Sequence, residues 1–467
     1  MPKSIMSTPL ARSRALSLLT SSNTYGGSRL ILWNSLCIAI QHTPALKRDN
    51  AGAPASSPLL AAQEAENRRV RIPPNWPDLV ARYGTPLAIC DVAFVRGQCR
   101  RLRAAFGFCD LFYSVKANYN PSLVRIVAGE GLGVDAVSPG EVELALRCGV
   151  AARNIVYVEN NMSDAEMEFA VERGVRLVVG ALSRLKKYAA RYPGASVGVR
   201  INADVGGAHH ARAFTAGPQS KFGIHFSQIP EALAIASAAK VRVDLVQQHI
   251  GSGWLDEAIF AEAVDIILRE AARFPDLETV DFGGGFGVPY KQGDHPLDIE
   301  RMGALLKART EAFKANAGRS LRFALEPGRF LVAESMALLA TVQDKKAGSD
   351  GRVFLGLDAG FNQLMRPALY NSPHEILNLS HPDAPLAAYD ICGNICESTD
   401  FFARAREIPA AEEGDVLAIM NYGAYGAAMG SVYNLRAPAA EVFFEGQRSW
   451  LTRGRAGLED MLSSFVE

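Results

Sequence analysis

The chain has 467 residues, 48% of them apolar and 21% charged, which suits a soluble globular protein and excludes wholesale disorder. Lysine plus arginine equals aspartate plus glutamate at 49 each, so net charge points to neither nucleic acid nor acidic lipid. The length allows about two or three domains with full cores, and no stretch approaches the ~20 apolar residues needed to cross a bilayer.

Residues 1–75 differ from the rest. No acidic residue precedes Asp49, while Lys3, Arg12, Arg14 and Arg29 stand among many serines and threonines. That pattern reads as an organelle transit peptide or as an upstream extension from a misplaced start. An Ala- and Ser-rich linker from Ala51 to Gln63 follows. The seven cysteines are scattered, odd in number and without metal-type spacing, so they predict reduced thiols and a cytoplasmic setting, or an organelle if the leader is a transit peptide.

From about Pro86 short β-type runs alternate with helical ones. Strands are predicted at Leu111–Val115, Gly133–Val137, Asn154–Val158, Arg176–Val179, Ser196–Ile201, Val243–His249, Thr279–Phe282 and Phe323–Glu326. Helices are predicted from Pro121 to Glu130 and from Pro139 to Arg147. Eight strand-then-helix units predict a (β/α)8 TIM barrel over 76–335, with a leading strand joining the domain that follows. After Ser335 the runs Ala337–Val342, Val353–Leu357 and Val416–Met420 predict a C-terminal β domain over 336–467, a β-barrel or β-sandwich.

Barrel chemistry collects at the C-terminal strand ends, and Lys116, Asp135, Arg200, His249, Gly283 and Glu326 all fall there. Lys116, in Tyr113-Ser114-Val115-Lys116-Ala117-Asn118, would alone read as a charged strand end. Gly283-Gly284-Gly285-Phe286-Gly287 lets backbone N–H groups approach an anion, or makes a tight turn. His249-Ile250-Gly251-Ser252-Gly253 offers an imidazole for stacking and a hydroxyl for phosphate. Glu326-Pro327-Gly328-Arg329 supplies a carboxylate that could hold a pyridine nitrogen protonated, or an ion pair between Glu326 and Arg329.

Three further signals lie in the β domain. Cys392-Gly393-Asn394-Ile395-Cys396-Glu397-Ser398 lacks the second pair of a metal site but offers a thiol as a proton donor beside a carboxylate. Arg366, in Met365-Arg366-Pro367-Ala368-Leu369-Tyr370, presents a planar fork for a carboxylate. Gly423-Ala424-Tyr425-Gly426 sets a tyrosine hydroxyl on a turn.

Together these motifs resemble the fold-type III pyridoxal-phosphate-dependent decarboxylases, and within them the diaminopimelate decarboxylase family, from about Asn75 to the C-terminus. The resemblance implies a barrel plus a β domain, active sites shared across a homodimer, and pyridoxal 5′-phosphate as cofactor. It makes Lys116 the Schiff-base lysine, with Asp135 and His249 bordering the ring and Arg200 near them. Ser252, Gly283, Gly284, Gly285 and Tyr425 would hold the phosphate, and Glu326 would face the pyridine nitrogen. Cys396, offered by the partner subunit, would return the proton. Arg329, Arg366, Tyr370, Glu397 and Tyr425 would recognise substrate.

The implied reaction converts meso-2,6-diaminopimelate to L-lysine and CO2, a carboxy-lyase step of lysine biosynthesis. Two arginines exceed what a substrate with only an amine at its far end requires, and a second carboxylate gives them a purpose. The chain departs from the family at Pro373, where an aromatic commonly stands, and at Val432 and Leu435. These changes leave open a related decarboxylase of ornithine, lysine or arginine, in L or D form. A racemase is disfavoured by Glu326, and a non-catalytic, partner-binding homologue by Lys116 and Cys396.

Overall fold

A computed structural model describes residues 72–202, 204, 217, 220–291, 293–318 and 320–466; the predicted leader and linker lie outside the described residues. Strand β1, Leu87–Asp91, comes first, followed by β2 Asp110–Ser114, β3 Gly133–Ala136, β4 Ile155–Val158, β5 Arg176–Val179 and β6 Ser196–Asn202. A two-residue β7 at Ile224–His225 precedes β8 Arg242–Gln247, β9 Thr279–Asp281 and β10 Arg322–Leu325. The pairing order β2, β3, β4, β5, β6, β8, β9, β10 and back to β2 closes a parallel ring. All eight predicted barrel strands are in that ring, so the (β/α)8 expectation holds.

Helices follow the strands because their starts are capped. Ser138 accepts the Glu141 N–H, with Pro139 just inside the helix Pro139–Arg147. Ser163 and Glu166 form a reciprocal capping box, and Asp298 caps Ile299–Ala317. Each satisfies backbone donors that the first helical turn leaves unpaired. Val156, Val158, Val178 and Leu245 form their own buried cluster with Phe112, filling the ring with branched side chains.

The C-terminal strands are β11 Met336–Ala347, β12 Val353–Leu357, β13 Ile376–Asn378, β14 Leu386–Cys392, β15 Phe401–Pro409, β16 Val416–Ile419, β17 Ala440–Glu445 and β18 Arg448–Arg453. They form a second, largely antiparallel sheet, as expected. β1 enters it, antiparallel to β11 and parallel to β17. Side chains alternate across a strand, so Leu87 and Ile89 pack with Leu339 and Val442 on one face. Ala88 and Cys90 turn to the cluster shared with the barrel. A strand buried on both faces needs an unbroken apolar run, and Leu87–Cys90 is one. Among the described residues no helix is long and apolar enough to cross a membrane.

Candidate active site

Strand register assembles the site. Ser114 pairs with Asp135, Arg200 with Gln247, and Gln247 with Asp281, so these polar residues share one end of the barrel. Lys116 follows on the single turn Val115–Ala117. Its Nζ donates to Asp135 Oδ2 at 2.7 Å, and Ser114 Oγ donates to the same oxygen at 2.7 Å. Asp135 is fully buried while the Lys116 side chain stays 32% exposed. Burial alone would lower the ammonium's pKa, but Asp135 and Glu326 outweigh it and hold the group above its ordinary value.

Glu326 follows β10. Its Oε2 accepts the Gln247 amide at 2.9 Å, and its buried Oε1 has no partner among the described residues. The alternative Glu326–Arg329 ion pair does not form, because Arg329 turns to Tyr290 and Ser252. Asp281 is also buried, with Oδ1 accepting the Gly283 N–H at 2.8 Å. Burial pushes Glu326 far above the carboxylate range, and Asp135 and Asp281 push it further. Burial likewise lifts Asp281 to about 7, against the pull of the Gly283 N–H and with Asp135 adding to the rise. Three carboxyl groups this close cannot all ionise in a dry site.

His249 Nδ1 accepts the Gly284 N–H at 3.3 Å. Burial, then the charges of Lys116 and Arg200, drive its pKa well down, so it presents a neutral ring. Arg200 is buried with its guanidinium 4.7 Å from the Phe222 ring, and Nη2 lacks a partner among the described residues.

The glycine run is a backbone cradle. Gly283 and Gly285 have φ of 71° and 101°, a region that only glycine enters freely. A Cβ at Gly284 would collide with Glu326 O, and one at Gly285 with Gly251 O. The Gly253 N–H donates to Gly285 O at 2.8 Å, joining the Gly251–Gly253 turn to the run. The Tyr425 N–H donates to Ala117 O at 2.8 Å, which brings that tyrosine beside the Lys116 turn.

At the far end Arg329 and Arg366 converge. Arg329 Nη1 donates to Tyr290 Oη at 2.9 Å and Arg366 Nη1 to the same atom at 2.7 Å. Arg329 Nη2 donates to Ser252 Oγ at 3.1 Å, and Arg366 Nη2 to Ser372 Oγ at 2.9 Å. Arg329 also lies over the Tyr425 ring at 4.8 Å. Tyr370 ends the short helix that Arg366 begins.

Residues 92–333 match the family model for the pyridoxal binding domain of pyridoxal-dependent decarboxylases. Diaminopimelate decarboxylase of Methanothermobacter thermautotrophicus is 40% identical over 398 residues, covering 82% of this chain and 92% of that protein. The enzyme of that name from Escherichia coli K12 is 34% identical over 403 residues, covering 82% and 94%. The chain belongs to the diaminopimelate decarboxylase family. A crystal structure of the Helicobacter pylori diaminopimelate decarboxylase, complexed with L-lysine, superposes with a TM-score of 0.77 at 29% identity, covering 83% of this chain and 98% of that one.

The family's pyridoxal phosphate fits what the fold offers. A lysine stands beside a buried acid, a cradle excludes any Cβ, a neutral imidazole lies alongside, and Glu326 Oε1 and Arg200 Nη2 are buried with no partner among the described residues.

Most of the anticipated residues meet at this barrel end. Cys396 and Glu397 do not join them within one chain. They lie on an exposed turn of the β domain, held by the Cys396 N–H to Asn434 Oδ1 at 2.8 Å and by Ser398 to Glu397. Sequence reasoning missed Ser114, Gln247, Asp281 and Tyr290. Register would have found the first three, since each lies in or ends a recognised strand. Tyr290, beyond the glycine run in a segment without regular periodicity, carried no signal.

Proposed function

We propose that this chain binds pyridoxal 5′-phosphate and decarboxylates meso-2,6-diaminopimelate to L-lysine and CO2. The observation that carries the reading is the pair Arg329 and Arg366, 7% and 2% exposed. Neither has a carboxylate within 4.0 Å among the described residues. Buried cations without an anion are costly, and a substrate carboxylate offsets that cost.

Lys116 would hold the cofactor, which when bound supplies an electron sink for the pair left at Cα as CO2 departs. Gly283, Gly284, Gly285, Ser252 and Tyr425 would hold its phosphate, through backbone N–H groups and hydroxyls. Asp135 and His249 would border the ring, with Arg200 beside them. Glu326, buried beyond the end of β10 with one oxygen held by Gln247, would hold the proton on the ring nitrogen. The His249 ring, neutral and apolar on its faces, excludes water from one side.

Arg329, Arg366 and Tyr370 would take the distal carboxylate, and Glu397 the distal ammonium. Cα loses CO2 and gains one proton, so a donor is required. We assign it to Cys396 of a second copy of the chain, because its own turn is exposed and is held by Asn434 and not by any residue of the barrel site. The active unit is then a homodimer. The chain, purified with cofactor and given meso-2,6-diaminopimelate, should release CO2 and L-lysine in equal amounts. Release of neither would reject the assignment.

A further inference from the structure

The two guanidiniums share one oxygen, and that oxygen belongs to a residue with no role so far. Tyr290 is 8% exposed, and its Oη accepts from Arg329 at 2.9 Å and from Arg366 at 2.7 Å. Both cations also lie near its ring, Arg366 at 4.7 Å and Arg329 at 5.7 Å from the centroid. Like charges brought this close repel, and the more strongly in a site that excludes water. An acceptor shared between them holds the two forks together against that repulsion.

We infer that Tyr290 is a specificity-setting positioning residue: its hydroxyl oxygen yokes Arg329 and Arg366 into one receptor for the distal carboxylate of the substrate. This deepens the proposed function and rests on it.

Three observations support the yoke. First, Tyr290 is itself fixed. The His374 ring packs edge-on against it at 5.3 Å, and His374 Nδ1 donates to Met420 O at 2.7 Å. Second, each arginine is pinned at its other η nitrogen by a serine, Arg329 by Ser252 and Arg366 by Ser372. Each η nitrogen carries two N–H groups, so each still has one to offer. Third, although burial raises the Tyr290 phenol, the two guanidiniums outweigh burial and leave it below its ordinary pKa. That direction is what two cations bonded to one phenol oxygen impose.

The yoke also gives Ser372 a purpose. It stands in the segment that departs from the family pattern at Pro373, yet its hydroxyl completes the fixing of Arg366.

The test compares L-lysine, which keeps the distal carboxylate, with 1,5-diaminopentane, which lacks it. Both are titrated calorimetrically into the cofactor-loaded enzyme as wild type, Tyr290→Phe and Ser372→Ala. Tyr290→Phe should weaken L-lysine about tenfold or more and leave 1,5-diaminopentane within about twofold, as expected for lost charge-assisted hydrogen bonds. KM for meso-diaminopimelate should rise in parallel, with kcat within about threefold. Ser372→Ala should shift L-lysine in the same direction by less, which keeps the test intact if Tyr290→Phe folds poorly. Equal weakening of both ligands, or of neither, overturns the inference. Wild-type protein that never acts on meso-diaminopimelate overturns the proposed function instead, and is read from a separate assay.

Discussion

Lys116 Nζ and Asp135 Oδ2 are 2.7 Å apart, and Ser114 Oγ reaches the same oxygen at the same distance. The carboxylate is wholly buried and the lysine is not. Asp135 therefore acts as a fixed anchor for the amine. Asp135 sits on β3 opposite Ser114 of β2, so register places the anchor and the turn Val115–Ala117 brings Lys116 to it.

Glu326 is the group whose charge the site manages most tightly. Glu326→Gln preserves size and an acceptor for Gln247 but can carry no negative charge. Turnover should fall about a hundredfold or more, the scale of losing a preorganised electrostatic contact, while cofactor still binds. Steady-state kinetics with an absorbance assay of bound cofactor separates the two. Turnover within about threefold of wild type would remove Glu326 from its assigned role.

Gly284 tests the cradle. Its Cβ would occupy the position of Glu326 O, so Gly284→Ala must displace the backbone of either the run or the β10 end. Overpacking of this kind costs about 1–3 kcal/mol. Cofactor affinity should drop by at least about tenfold, measured by equilibrium dialysis, because the displaced N–H groups no longer converge. Unaltered affinity would mean that the run is only a turn.

The exposed turn of Cys396 makes a prediction about assembly. Cys396→Ala should retain cofactor and turn over slowly, and Lys116→Ala should be inactive. Mixing the two impaired chains under subunit exchange should restore about a quarter of wild-type activity, since half of the dimers then carry one intact shared site. No recovery despite demonstrated exchange would place Cys396 and Lys116 of one site in the same chain.

Asp281 predicts a pH dependence. Its carboxyl is raised from 3.8 to about 7, so between these values the folded, cofactor-free chain keeps a proton that the unfolded chain releases. Protonation then favours the fold, and this contribution is lost as pH rises through about 7. The urea midpoint of wild type relative to Asp281→Asn should decline from about pH 5 to about pH 8. A constant difference between the two chains would contradict the raised value.

Much of this was legible in the sequence, for a physical reason. Parallel strands buried on both faces need unbroken apolar runs, and their polar terminators stand out; that is how Lys116, Asp135, His249 and Glu326 were found. Gly283–Gly285 announced a close backbone approach by lacking side chains. Residues that matter through a partner were hidden. Gln247 and Asp281 sit inside apolar strands, where only the register with Arg200 and Glu326 gives them meaning. Tyr290 lies 39 residues from Arg329 and 76 from Arg366, and no spacing rule connects the three. The Glu326–Arg329 ion pair, plausible from adjacency, fails because Gln247 and Tyr290 claim the two side chains.

The central claim is a decarboxylase selective for a substrate with a second carboxylate. The measurement that tests it most directly is kcat/KM for CO2 release from meso-2,6-diaminopimelate, L-lysine, L-ornithine and L-arginine under one set of conditions. Turnover of meso-2,6-diaminopimelate at least about a hundredfold above the other three is the predicted result, since those substrates, with their one carboxylate at the reacting carbon, leave Arg329 and Arg366 without one. Faster release from ornithine, lysine or arginine would contradict it.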